Sequence, residues 1–299
     1  SEMNFVAPAP VSKVVNKTIR VGENHAASIR CLSSKSNLAG MNPTDYPEMA
    51  RVAEGTTVRI PQDKLKEMIS RVVFAIATED NRQILTGCLL EVEPTEARPV
   101  ALDGFRLAIQ KAVMPFELPG GKENVRVVIP GRVLNEMSKV LGDTDEYCTL
   151  VFDQSRMTAS FGTTTLSTVL LTGEYIDYRK ILPASFRTTA LADRVQNAID
   201  RASLMAREGK NNLIRMSFSG DTLAIYSNAE LGDVLEELET ELTGDPIEIA
   251  FNAKYITDVI RNITDEKDVA MIRKFYDLFV EKAPFSAFVE TLAGMKNTH

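Results

Sequence analysis

The sequence predicts an α+β protein in which helices cover one face of antiparallel sheets and in which that layer pair is repeated along the chain. Three observations predict it. An Asp-Tyr signature occurs twice, at Asp45-Tyr46-Pro47 and Asp177-Tyr178; two amphipathic helix patterns each recur; and short alternating runs bounded by Gly and Asp lie between them.

The first helix pattern runs from Pro61 through about Thr78, and its second copy from Ala190 to Ala206, with Leu191, Val195, Ala198, Ile199, Ala202 and Met205 apolar. Apolar residues three and four apart define one buried helix face. The second pattern follows a β-branched strand each time: Val125 to Ile129 leads into 130–141, and Ile247 to Phe251 leads into 252–263. Leu213 to Phe218, Thr222 to Tyr226, Thr149 to Phe152, Met157 to Phe161 and Thr165 to Leu171 read as strands joined by short turns. Residues 57–183 therefore form one domain and 184–299 another, while 1–56 suffice only for the closing half of a domain. Pro119-Gly120-Gly121 is a loop inside the first of these domains.

A chain of 299 residues with 44% hydrophobic and 25% charged residues suits two or three soluble domains. Its apolar stretches are too short to cross a bilayer, and Ser1 to Phe5 lack the basic start and apolar run of a secretory signal. The expected compartment is cytoplasmic, with no membrane association. Cys31, Cys88 and Cys148 are far apart and form no Cys-x-x-Cys pair, so they are expected to be buried free thiols, with no disulfide framework and no metal site. No cofactor motif occurs either. A net charge of −7 excludes a generally basic nucleic-acid binder, so any such role must rest on a local face. The only histidines are His25 and His299, there is no phosphate loop or nucleophile motif, and pairs such as Glu79-Asp80 read as solvated loops; no catalytic site is expected. The acidic run Asp233 to Asp245 reads as a solvated edge, compatible with an outer wall that repels nucleic acid.

One segment carries a more specific signal. Asn81 to Leu90 is followed by Val100-Ala101-Leu102-Asp103-Gly104-Phe105-Arg106-Leu107-Ala108, and the order continues with 173–183 and with Phe251-Asn252 to Tyr255. Together with Asp45 to Glu48, these residues resemble the bacterial DNA polymerase III β-subunit, or sliding-clamp, family over about residues 30 to 272. The resemblance implies a ring of two head-to-tail subunits, each with three similar domains, encircling double-stranded DNA without reading its sequence. It implies as partners the replicative polymerase, the clamp loader and repair polymerases, docked through short peptides rich in Leu and Phe.

A ring of this kind needs a cationic lumen, because phosphate neutralisation holds duplex while leaving the protein free to slide. Each of the four helix segments sums to +1: Lys64, Lys66 and Arg71 against Asp63 and Glu67; Arg132 and Lys139 against Glu136; Arg194, Arg201 and Arg207 against Asp193 and Asp200; Lys254 and Arg261 against Asp258. These cations are the candidate DNA-facing residues. Carried over position by position, the peptide pocket would be lined by Leu85, Leu102, Gly104, Phe105, Arg106, Leu107, Ile176, Lys180 and Ile181, and the subunit interface would include Leu204 and Met205. Leu102 stands where the family has Thr, Phe105 where it has His, Ile176 where it has Pro and Lys180 where it has Arg, so the pocket is expected to be more apolar with its charge kept. The chain ends Leu292 to His299 where the family has a strand with a Met-Pro-x-Arg type motif, and Phe275 to Phe279 replaces a shorter turn; the last strand is expected to be missing. Two other readings stand beside this one: a repeat-domain scaffold that shares the fold without binding DNA, and a metal-dependent hydrolase built from converging carboxylates.

Overall fold

A computed structural model of the chain describes residues 18–22, 26–31, 33–42, 44, 50–52, 54–78, 82–118, 123–182, 188–192, 194–209, 212–262 and 269–270. They belong to two compact units, Ser1–Arg51 and Val52–His299. In the first, β1 (Thr18–Val21), β2 (Ala27–Cys31) and β3 (Ser34–Leu38) form an antiparallel meander, with Ala27 and Ile29 of β2 turned to the buried side.

The second unit contains one layout twice. In the first copy β4 (Thr56–Pro61) leads into α1 (Gln62–Ser70). Then β5 (Gly87–Glu93), β6 (Glu96–Leu102), β7 (Leu107–Ile109), β8 (Ala112–Val113) and β9 (Val125–Pro130) lead into α2 (Gly131–Val140). Strands β10 (Tyr147–Phe152), β11 (Arg156–Phe161) and β12 (Thr164–Val169) complete it. In the second copy β13 (Thr188–Ala192) leads into α3 (Val195–Glu208). Strands β14 (Leu213–Ser219), β15 (Thr222–Ala229), β16 (Gly232–Gly244) and β17 (Ile247–Asn252) lead into α4 (Ala253–Ile260), with β18 (Val269–Ala270) beyond. The sheet order β7-β6-β5-β9 of the first copy is matched by β16-β15-β14-β17 in the second, and every pairing is antiparallel. The first copy adds the sheet β12-β11-β10-β4, whereas in the second the long strand β16 also pairs with β13 and fuses both halves into six strands.

Helical periodicity explains where the cores sit. Leu65, Met68 and Ile69 of α1 and Leu134 and Met137 of α2 share one core with Ile60, Leu90, Val92, Leu150 and Met157 from both sheets. In the second copy Val195, Ala198, Ile199, Ala202 and Ala206 of α3 and Ile256 and Ile260 of α4 pack on Ile214, Met216, Phe218 and Ile225. The alanines bring the two helices close enough for the Ser203 and Thr257 hydroxyls to bond at 3.1 Å. Cys88 and Cys148 are free and buried, as expected, and burial pushes both thiols up to about 12.

Several sequence expectations need correction. The pattern from Ala190 is not helical at its start: Ala190 and Leu191 belong to β13 and pair with Leu242 and Glu241, and Arg194 at φ 62° separates this strand from α3. The helix from Pro61 ends at Ser70, because Val72-Val73-Phe74 is a β-branched and aromatic run that disfavours further helix; Val73–Ala75 is a 3₁₀ turn. Strand β12 stops at Val169, and Leu171 makes a single bridge to Val128 that turns the chain back over the first sheet. The acidic run, by contrast, has a strand partner on one side only along its length, as a solvated edge does. Strand β16 pairs with β15 through 232–239 and with β13 through 240–244, one neighbour at a time, with Asp233, Glu237, Glu239 and Glu241 on its exposed side and Val234, Leu238 and Leu242 against the core. The signature Asp45 to Glu48, His25, Glu79-Asp80, Asn81, Pro119 to Gly121, Asp193, Ile263, Phe275 to Phe279 and Leu292 to His299 lie outside the described residues.

Candidate functional site

Strand β5 reads Gly-Cys-Leu-Leu-Glu-Val-Glu and is buried on both faces. Cys88, Leu90 and Val92 point to the helices, so Leu89 and Glu91 point the other way. On that outer face Leu89 joins Leu85, Val100, Leu102, Leu107 and Val128, and the segment after β12 lies over them with Tyr175, Ile176, Tyr178 and Leu182. Three of the predicted pocket residues, Leu85, Leu102 and Leu107, are therefore 0%, 2% and 5% exposed and form a floor rather than an open wall. Ile176 and Ile181 are half-buried, while Lys180 is exposed and pairs with Asp177 at 3.3 Å.

The turn between β6 and β7 supplies three more of the predicted pocket residues, Gly104, Phe105 and Arg106. Asp103 Oδ1 accepts from the backbone N–H groups of Phe105 (2.9 Å) and Arg106 (3.0 Å), and Gly104 takes φ 87°, a conformation that costs glycine nothing. The turn presents Phe105, 42% exposed, which stacks on Tyr255 of α4 with ring centroids 5.6 Å apart. Arg106 is 7% exposed: its Nε donates to Asp103 (3.0 Å), its Nη1 donates to Asp258 of α4 (2.7 Å), and the guanidinium lies over the Tyr255 ring at 4.8 Å. Arg106 thus ties the two copies together through its Nε and Nη1. Sequence reasoning missed Asp258 as a site residue and used Tyr255 only as a family mark. The signal was present, because the two residues are three apart on one helix face and Asn252, in the same motif, caps that helix by accepting from the Lys254 N–H at 3.0 Å.

Two tyrosines hold the overlying segment down. The Tyr175 hydroxyl donates to the Val100 carbonyl (3.2 Å), and the Tyr178 hydroxyl donates to Glu91 Oε2 (2.6 Å). Arg179 closes a fork on the same carboxylate at 3.1 and 2.8 Å, and Arg126 approaches it at 3.1 Å. Burial, then the Glu91 bond, pushes the Tyr178 hydroxyl up to about 12; burial also raises Tyr175.

The candidate DNA-facing cations lie on or beside the four helices, away from the buried faces. Arg132, Arg194, Arg207 and Lys254 are exposed. Lys64 pairs with Glu67 (3.6 Å), Lys66 with Asp143 (2.8 Å), Lys139 with Glu136 (2.8 Å), Arg201 with Glu236 (Nε to Oε1 2.7 Å) and Arg261 with Asp200 (3.0 Å). Such exposed pairs are weak enough to yield to a phosphate. Arg71 differs: its side chain is only 12% exposed and bonds Glu67, so burial removes it from the accessible set. Leu204 on α3 is 65% exposed and Met205 beside it is half-buried, leaving an apolar spot on an otherwise polar helix face. Among the described residues no group of three His, Cys, Asp or Glu is placed to hold a metal ion, and no helix is long and apolar enough to cross a membrane.

Residues 59–177 match the family model of the DNA polymerase III beta subunit central domain, and 179–275 match that of its C-terminal domain. The beta sliding clamp of Staphylococcus aureus (strain Mu50) is 30% identical over 263 residues, 86% of this chain and 69% of the relative. The chain belongs to the DNA polymerase III β-subunit family of sliding clamps. The clamp of Bacillus subtilis (strain 168) is 34% identical over 248 residues, covering 81% of this chain and 65% of the relative, so the chain spans slightly less than two thirds of that clamp. The crystal structure of the Bacillus subtilis clamp superposes with a TM-score of 0.74 at 32% identity, covering 86% of this chain and 69% of that one. The family's fold, helices on one face of antiparallel sheets, is the fold described above.

Proposed function

We propose that this chain acts as a sliding clamp, with 57–183 as its central domain, 184–299 as its C-terminal domain and 1–56 as the closing half of a first. It encircles double-stranded DNA without sequence preference as a head-to-tail homodimer ring. There it docks Leu- and Phe-rich peptides of the replicative polymerase, the clamp loader and repair polymerases, and has no catalytic site of its own. Its place of action is the cytoplasm.

The observation that carries this reading is the segregation of charge across a duplicated layer pair. Lys64, Lys66, Arg132, Lys139, Arg194, Arg201, Arg207, Lys254 and Arg261 stand on the helix side, while the exposed row Asp233, Glu237, Glu239 and Glu241 stands on the opposite face of the sheet. Five of these helix-side cations sit in weak exposed pairs and can exchange their carboxylate partners for phosphate, while the anionic row on the other face repels it. The pocket comprises the floor Leu85, Leu102 and Leu107, the turn Gly104, Phe105 and Arg106, and the overlying wall Ile176, Lys180 and Ile181. An apolar floor beside an aromatic stack suits inserted Leu and Phe anchors. Leu204 and Met205 supply an apolar contact for the next subunit.

Retention on DNA tests the ring. Full-length protein loaded on a nicked circular duplex is expected to stay bound in moderate salt and to be lost when the same circle is cut once. Equal retention before and after the cut ends this reading, because hold would then come from ordinary surface binding.

A further inference from the structure

Glu91 stands out among the described residues as a carboxylate that is 3% exposed in a strand whose other buried side chains are apolar. An ionised carboxylate at such a place is tolerated only where several donors compensate its lost hydration. Four donor groups surround it: the Tyr178 hydroxyl at 2.6 Å, the Arg179 fork at 3.1 and 2.8 Å, Arg126 Nε at 3.1 Å, and Arg98 Nη1 at 3.9 Å. Arg98 also donates to the Tyr178 hydroxyl (3.3 Å) and is itself held by Glu93 (2.7 Å) and Glu96 (2.6 Å). Two of the four, Tyr178 and Arg179, belong to the segment that walls the pocket, and the other two belong to the sheet.

What hangs from Tyr178 gives this cluster its consequence. The Tyr178 carbonyl accepts from the N–H groups of Ile181 (3.0 Å) and Leu182 (3.1 Å), so a single short turn, Tyr178–Lys180, carries Lys180 and Ile181. At the other end Tyr175 is bound to Val100, and Ile176 lies between the two anchors. We infer that Glu91 is a positioning residue of the peptide pocket: from the sheet face beneath the segment it fixes Tyr178 and Arg179 and thereby sets the places of Ile176, Lys180 and Ile181. This rests on the pocket reading above. Glu91 itself lies under the wall and touches no ligand, so it acts on docking only through the turn it holds.

The test is a titration of a fluorescently labelled Leu- and Phe-containing clamp-binding peptide, far below the unfolding temperature, against full-length wild type and four variants. Gly104→Asp reports on the pocket itself, because a carboxylate at φ 87° in the turn strains and recharges the pocket rim. Glu91→Gln is expected to weaken binding about tenfold, as is Ile176→Ala. The double variant is expected to be no weaker than the weaker single one, because both changes remove the same wall. Where Glu91→Gln does not fold, Tyr178→Phe takes its place in the same cycle, with a loss of about threefold expected. A purely structural Glu91 leaves affinity within twofold of wild type in protein that is fully folded, and that result overturns the inference, as does a double variant whose losses multiply. Wild type that fails to bind, or Gly104→Asp that binds as well as wild type, removes the pocket reading instead.

Discussion

Strands β5 and β14 hold the same place in the two copies and have different outer faces. Gly87 of β5 lies opposite Pro130 and Leu213 of β14 lies opposite Asn252, the residues that immediately precede α2 and α4. This register matches Leu89 with Arg215 and Glu91 with Ser217. The inward residues agree in kind: Cys88, Leu90 and Val92 on one strand, Ile214, Met216 and Phe218 on the other, none more than 4% exposed. Outward, Leu89 and Glu91 are buried under the tyrosine-anchored segment, whereas Arg215 is exposed and Ser217 half-buried. The module keeps its helix-facing side constant, and the outer side is what adapts. Covered by a segment, the sheet acquires a floor on which a pocket can be built; left open, it carries charge.

The largest effect is expected from Leu89→Ala. Leu89 is 2% exposed between the sheet and the overlying segment, so its truncation is expected to destabilise the protein by about 2–5 kcal/mol, read as a lowered denaturant midpoint at constant slope. A loss of under about 0.5 kcal/mol would mean that the segment does not cover β5 in solution.

Much of this contrast was legible in the sequence. A strand covered on both faces reads as a continuous apolar run, as Cys88-Leu89-Leu90 does, while one open face gives alternation, as Ile214-Arg215-Met216-Ser217-Phe218 does. The four helices and the repeat were legible for the same reason, since period and order survive divergence. Strand β13 was not, because Leu191 extends the helical spacing of α3 backward and only the pairing with β16 decides otherwise. The change of partner along β16 was equally hidden: alternation shows one charged side, but not that the strand leaves β15 after Glu239 and continues against β13 from Thr240. Glu91 and Asp258 escaped because their partners, Tyr178 and Arg106, are distant in sequence and carboxylates are plentiful in this chain.

A smaller effect, at Tyr178, depends on pH. Tyr178→Phe removes one bond to Glu91 and is expected to cost about 1–3 kcal/mol at neutral pH. The folded-state Tyr178 hydroxyl, raised to about 12 by burial and then by Glu91, ionises above the ordinary tyrosine value of about 10. Its contribution is therefore complete below the unfolded value and is lost as pH rises through the folded one. Denaturant midpoints of wild type and variant are expected to converge between about pH 10 and 12. A difference that stays constant across that window would show that the hydroxyl is not buried against Glu91.

The smallest effect belongs to the open face. Arg215 and Glu248 face each other at 3.4 Å with side chains 58% and 59% exposed, and an exposed pair of this kind is worth about 0.2–1 kcal/mol. Arg215→Ala is thus expected to lower stability within that range, and the difference should vanish in about 1 M salt, where screening reaches about 3 Å. Its register equivalent is Leu89, so the same position in the same module should respond several times more strongly in one copy than in the other. A loss above about 2 kcal/mol that survives salt would place Arg215 under a cover of its own, and the two copies would then differ in what covers them rather than in whether they are covered.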